Sequence, residues 1–423
     1  MSATKTGENV NMKKIVLSTL VALSIATVAS ASDVKLYQDA NGQVFTSAAD
    51  GRTEISTPST GVSVNSMTQN LDFSMLAYLG YVNTDNRVKT TTDTNKFEAR
   101  RMYLQFKAHV LEDPKSYFRL TYDVYDTGSV NTTTGAASAG DYYTAQVKYA
   151  YLFLNDILPF TDVEIGQAHT TLLDYEESHS WAYRSIDNVF TEQLNAGIQN
   201  ASAGRGIDLK TNTKFFSSEL GVYNNNGYRA AETTYNHNGM GMDYEGRLTL
   251  HALGTGTDYK QDHTYFDVSL LGKHNVNGIA GTITKTNGAD VDYIGVHSVF
   301  NTKPLLVAAQ YISARNTATG NDVTSTSGSG YSINFDARTG EKDQYHVFGR
   351  YDSWTPKVIT NDVEKAKRTY IAGLAWDMNK NVQWVANVIT TDNQAGVSAV
   401  AYHHSDLSTG NGNAYMLTAQ VQF

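Results

Sequence analysis

Two groups of ionisable residues stand out by type and spacing. Arg101, Lys107 and Arg119 occupy alternating positions in segments that read as strands, so Arg101 and Lys107 share a face, and Arg119 sits on the polar face of the next segment. Asp174, Glu176, Glu177 and Arg184 lie where that alternation stops. Neither group has the spacing of a bond-making site. Cations on one wall with carboxylates facing them would set up a transverse field, in which small hydrated solutes with a dipole or one charge orient and cross while apolar solutes do not. For any one of these residues the competing reading is an ion pair that satisfies its neighbour across a strand ladder.

Enzymatic chemistry finds little support. The eleven histidines are scattered, and His403-His404 sits in a loop without Glu-x-x-His or related metal-ligand spacing, so no metal or cofactor is expected. No Gly-x-Ser-x-Gly element is present, and the absence of Cys removes thiol catalysis.

Composition narrows the class. The chain has 423 residues, no Cys, 5 Pro, 33 Gly and 27 Tyr. A mean hydropathy of -0.37 is too polar for helical membrane spans. One segment alone is continuously apolar, Ile15 to Ala31, preceded by Lys13-Lys14 and closing on Ala29-Ser30-Ala31. A basic start, an apolar middle and small residues at the end describe a cleaved export signal rather than an anchor. Residues 1–31 are therefore expected to be an upstream extension and signal peptide. Their removal takes away Lys5, Lys13, Lys14 and Glu8 and leaves 30 basic and 41 acidic residues, a net charge of −11. Such a balance argues against a nucleic-acid partner. An exported chain without Cys must hold together by strand pairing and burial instead of disulfides.

Residues 32–70 are polar and turn-rich, and read as a periplasmic N-terminal segment with about one hairpin. From Leu71 to Phe423 the period is two. Leu71, Phe73, Met75, Ala77, Leu79 and Tyr81 share one face, and the closing stretch AYMLTAQVQF alternates without a break onto a final aromatic, as closing strands of outer-membrane barrels do. A soluble sandwich would alternate as well. The distinction lies in the polar face, which repeatedly carries full charges, and in the Tyr and Trp residues that flank the apolar face.

Sixteen strands result, at about 71–82, 98–110, 116–126, 142–154, 162–169, 203–211, 215–223, 240–252, 263–273, 291–301, 304–313, 330–338, 343–352, 368–377, 381–390 and 414–423. Long connections then follow every odd strand and tight turns the even ones. The expected fold is all-β, a sixteen-stranded antiparallel transmembrane β-barrel over 71–423. The third long connection, 170–202, is aromatic and irregular, which predicts one or two helical turns in a loop folded into the lumen; packing outside, on itself or on a neighbouring subunit, is the alternative.

Three stretches resemble the phosphate-selective porin O/P-like family: Phe97 to Lys107 (FEARRMYLQFK), Ser116 to Asp123 (SYFRLTYD), and Val163 to Gln167 (VEIGQ) leading into the loop that closes on Phe190-Thr191-Glu192. The similarity is clearest between about residues 97 and 195. It implies a homotrimeric porin of the bacterial outer membrane, in contact with its lipid and lipopolysaccharide, with inward arginines and lysines forming an anion ladder and a third loop narrowing the pore. On matching positions Arg101, Lys107 and Arg119 belong to that ladder. This chain departs from the pattern in its loop, where Asp174, Glu176, Glu177, Asp187 and Glu192 face Arg184 as the only permanent cation. Across the predicted lumen faces eight cations meet nine carboxylates, whereas stripping water from phosphate needs clustered cations alone. The expected function is passive diffusion of small hydrophilic solutes and ions with weak selectivity, the alternatives being a phosphate- or anion-selective porin or a closed structural or adhesive surface barrel.

Overall fold

The computed structural model describes residues 36–39, 44–45, 49–50, 52–55, 71–86, 95–109, 111–126, 143–193, 202–224, 242–276, 289–318, 321–322, 327–357, 366–393 and 412–423. Two compact units divide after Gln69. In the first, β1 (Leu36–Asp39), β2 (Val44–Phe45) and β3 (Arg52–Ile55) form one antiparallel sheet in the order β2-β1-β3. The single hairpin expected there thus gains a third strand. The expected export signal at 1–31 lies outside the described residues.

The second unit is a closed ring, because each amphipathic strand can satisfy its backbone only by pairing on both sides. Its first half is β4 (Leu71–Asn86), β5 (Asn95–Ala108), β6 (Tyr117–Asp126), β7 (Tyr143–Leu158), β8 (Thr161–His169), β9 (Ala203–Asn212), β10 (Phe216–Asn224) and β11 (Met242–His251). The second half is β12 (Tyr265–Val276), β13 (Ala289–Thr302), β14 (Leu305–Ala318), β16 (Gly328–Thr339), β17 (Tyr345–Pro356), β18 (Lys367–Asn379), β19 (Val382–Asn393) and β20 (Gly412–Gln422). A two-residue β15 (Asn321–Asp322) folds back antiparallel on the end of β14. All sixteen predicted strands are present and each pairs antiparallel with its neighbours. β20 closes on β4 from Gly412↔Asn86 to Gln422↔Leu76, and Phe423 and Met75 exchange backbone hydrogen bonds of 3.1 and 3.0 Å.

The pleat sorts the side chains. On β11 the buried residues are Asp243, Glu245, Arg247, Thr249 and His251, while Tyr244, Leu248 and Leu250 are exposed. Charges therefore point into the ring and apolar groups out of it, the inverse of a soluble protein and the arrangement lipid requires. At the end of the ring where the short turns lie, Trp376 and Trp384 pair directly and stand exposed; at the other end Tyr351 lies 4.9 Å from Tyr370 and 5.8 Å from Tyr331. These are interfacial belts.

Two irregularities matter for the interior. The β4–β5 register slips between Tyr78 and Leu79, leaving Arg100 as the extra residue, and the β6–β7 register slips between Thr121 and Tyr122, leaving Lys148. Each bulge re-aims a cation at the lumen.

One substitution tests the sidedness. Leu270, near the middle of β12, is 55% exposed on the apolar outer face. Leu270→Lys should lower the stability of the barrel in phospholipid vesicles by about 2–4 kcal/mol, measured by urea titration of the folded fraction. An unchanged midpoint would mean that this face does not meet hydrocarbon.

Candidate functional site

The segment after β8 builds the centre of the ring. Thr170 is extended, and Asp174 N–H donates to its carbonyl at 3.2 Å, starting helix α1 (Thr171–His179) with Asp174 in its first turn. The helix stops where Ser180 and Trp181 N–H both donate to Glu176 O. The chain then folds back, Trp181 Nε1 donating to Asp187 O at 2.9 Å, and enters the short helix α2 (Phe190–Gln193).

Contacts of this segment go to inward-pointing side chains all round the ring. Tyr223 of β10 meets Thr171 at 3.1 Å, and its ring lies over Gly204 and Gly221, where an added Cβ would come within 3.0 and 2.2 Å of the Tyr223 side chain. Lys210 of β9 donates to Asp174 at 3.2 Å; Tyr183 Oη donates to Asp336 of β16 at 2.9 Å; Arg350 of β17 donates to Asn188 O at 2.6 Å. Arg100 of β5 donates to Ser185 O. Between these ties the segment packs on apolar inward residues: Leu173, Trp181, Tyr183, Ile186 and Val189 against Phe348, Ile371, Val385 and Ile389, and Leu172 and Phe190 against Leu271, Ile312 and Trp354. Sequence reasoning missed this apolar lining, although β18 and β19 are apolar on both faces there.

The predicted site residues separate into three environments. Arg101, Lys107 and Arg119 lie together, half-buried, on the inner wall of β5 and β6. Arg101 pairs with Asp123 at 3.0 Å; Arg119 donates to Thr121 and Tyr151 at 3.1 and 3.2 Å; Lys107 lies 4.5 Å over the ring of Tyr117. Asp174 joins a cluster on β8–β10, where Lys210 Nζ has Glu164, Asp174, Asp208 and Glu219 within 4 Å. Arg184 is held by Glu177 and by Glu192, the latter at 2.7 Å. Glu176 is enclosed: it is 2% exposed, accepts from Thr191 at 2.7 Å and from Gln310, and borders a cavity of about 10 Å³, room for about one water. It seats the segment against β14 and does not face a channel.

The sequence tally of interior charges omitted Arg100, Lys273 and Lys367 on the basic side and Asp377 on the acidic side. Lys273 bridges Asp243 and Glu245 at 3.1 and 3.5 Å. The signs are segregated. Cations dominate β5–β7, carboxylates dominate β8–β12, and β16–β17 is mixed. A second omission is the connection 252–264 at the short-turn end, which folds inward. Asn301 donates to Gln261 O and His263 O at 3.1 and 2.6 Å, and the Tyr259 ring lies 3.6 Å from that of His179. Its length and its lone Tyr among polar residues were the available clue.

A closed antiparallel ring of sixteen strands, charged within and apolar without, is porin architecture. Solved porins share it. The anion-selective porin from Comamonas acidovorans is similar over 84% of this chain and 99% of its own, with TM-score 0.58 and 12% identity. OmpF of Salmonella typhi, in complex with daunomycin, matches over 85% and 99% with TM-score 0.54 and 14% identity. OmpT of Vibrio cholerae, in its trimer form, matches over 84% and 99% with TM-score 0.50 and 12% identity. No protein-family model matches the chain, and no curated relative does.

Burial pushes the Glu176 carboxyl up to about 7 from an ordinary 4.5, against the hydrogen bonds from Thr191 and Gln310 that favour its charged form. Burial likewise lowers His179 to about 4 from 6.5, against the Tyr175 carbonyl that favours its charged form. The Glu176 contribution to seating is whole below pH 4.5 and is lost as pH rises through about 7; that of His179 is whole above pH 6.5 and is lost as pH falls through about 4. Between about pH 5 and about pH 8 the two trends nearly cancel, about 2.5 kcal/mol lost through Glu176 against about 2 kcal/mol regained through His179, so Glu176→Gln should leave residues 171–193 tighter at pH 8 than at pH 5 and His179→Gln should leave them looser. Amide hydrogen exchange, corrected for intrinsic rate, reads this directly; protection that moves in the same direction with pH in both variants would contradict it.

Proposed function

We propose that this chain is an outer-membrane porin through which small hydrophilic solutes and ions diffuse passively. The observation that carries the reading is sidedness: ionisable side chains face the inside of a closed ring whose outside is apolar. Water inside and lipid outside are the only pair of solvents that suits both faces. In this reading residues 1–31 are an upstream extension and cleaved export signal, 32–70 a periplasmic segment and 71–423 the barrel. The segment 171–193 narrows the lumen as a constriction loop, and three copies associate in a membrane of lipid and lipopolysaccharide.

Selectivity follows from what a solute meets. On one side stand Arg101, Lys107 and Arg119, each already engaged with a carboxylate, hydroxyl or ring; on the other stand Asp174, about one-third exposed, and Glu177, with Glu164 behind them. A field runs between these sectors, and neither sign is concentrated enough to strip a hydrated ion. The phosphate- or anion-selective alternative rests on the basic wall and the resemblance of the 97–123 strands; a closed structural barrel would hold the same charges without conducting.

In planar bilayers the purified protein should open ohmic channels with a cation-to-anion permeability ratio of order a few in a potassium chloride gradient. Asp174→Asn with Glu177→Gln should move the reversal potential toward anions. Strongly anion-selective current that saturates with phosphate would replace this reading with the phosphate-selective one, and absence of conductance would replace it with the closed barrel.

A further inference from the structure

The basic wall is also an aromatic wall. Beginning at the short-turn end, Tyr117 stacks on Phe153 with ring centroids 4.9 Å apart and planes 17° apart, and Lys107 Nζ lies 4.5 Å over Tyr117. Further along, the Arg119 guanidinium lies 4.6 Å over Tyr149. Lys148 Nζ, turned inward by its bulge, lies 4.7 Å over Tyr103 and 5.1 Å over Tyr149. Phenol faces and cations thus alternate along β5–β7 from one end of the ring toward the other. Lys107, Tyr117, Arg119 and Tyr103 are half-buried, so the run is open to the lumen at several points along its length.

Such a surface discriminates among anions of equal charge. A compact hydrated anion gains only from cations, and here Arg101 is committed to Asp123 and Arg119 to Thr121 and Tyr151. A flat conjugated anion can place its carboxylate at a cation and its ring against the neighbouring phenol, adding contact that a compact ion lacks. A neutral sugar would use the rings but leave the cations unused.

Building on the porin reading above, we propose that the β5–β7 wall is a binding path for small aromatic carboxylates, entered at Lys107, Tyr117 and Phe153. In free solution benzoate diffuses more slowly than acetate, so an unstructured pore passes acetate faster.

The test compares the reversal potentials of the intact protein in sodium benzoate and sodium acetate gradients. The expected benzoate-to-acetate permeability ratio is roughly three or more, the factor one added ring contact supplies. Tyr117→Leu together with Tyr103→Leu should bring the ratio to one or below, and the milder Phe153→Leu should lower it partway. A ratio below one in the unmodified protein overturns the proposal, whether or not the variants assemble. A high ratio that survives every ring substitution also overturns it, because the preference would then arise elsewhere in the lumen. A protein that opens no channel at all would instead defeat the porin reading and remove the path with it.

Discussion

A sheet that crosses hydrocarbon must leave no strand edge unpaired, and the rest of this structure depends on that backbone constraint. Each unsatisfied peptide group in lipid costs several kcal/mol, so the sixteen strands close from β4 round to β20 and back. Closure fixes two faces with opposite solvents. Because side chains alternate along a strand, every apolar residue committed to lipid commits its neighbours to the inside, which is why inward Glu245 and Arg247 lie between outward Tyr244 and Leu248. The interior charges are thus the geometric complement of a lipid-facing surface. What differs between one such barrel and another is how those charges are paired and what else shares the lumen.

That division explains how far the sequence could be read. The strand number, the antiparallel ring and the alternation of long and short connections follow from a period of two, and all were legible from Leu71 onward. The placing of Arg101, Lys107 and Arg119 on one wall was legible for the same reason. What escaped depends on breaks in the period. Arg100 enters the lumen through a bulge, which shifts the register by one residue and cannot be told from ordinary alternation without the partner strand. The apolar interior under the loop escaped because residues such as Ile371 and Val385 read as lipid-facing when both faces of a strand are apolar. Glu176 was grouped with Glu177 by adjacency, yet α1 turns them to different sides, one toward Gln310 and the other toward Arg184. Sequence adjacency means little once a helix replaces a strand.

The position of the 171–193 segment comes from two kinds of force on two sides. Toward β16–β20 it is held mostly by packing of Trp181, Tyr183 and Ile186, which needs no exact partner geometry. Toward β8–β11 it is held by charge, centred on Lys210, whose ammonium serves four carboxylates. A buried ion set of this kind contributes little net stability but is costly to break, because removing one member leaves the others uncompensated. The apolar side therefore supplies adhesion and the charged side supplies position. Tyr259 adds a stop from the short-turn end, beneath His179.

The segment also faces β5–β7. It meets that wall where Arg100 donates to Ser185 O and where its Arg184 and Glu177 interact electrostatically with Tyr103 and Lys148, while toward the short-turn end Lys107, Tyr117 and Arg119 are only half-buried. The open part of the lumen is consequently bounded by cations on one side and, across it, by the exposed margin of the Lys210 cluster. Those cations are not bare. Their partners are largely phenol rings, which stabilise a charge through the ring quadrupole without neutralising it, so the positive potential persists while the number of free donors falls. A carboxylate partner at each position would have cancelled the field, and no partner would have left a strongly hydrated charge. Tyrosine gives the intermediate case, in which field strength and donor supply are set separately along the same wall.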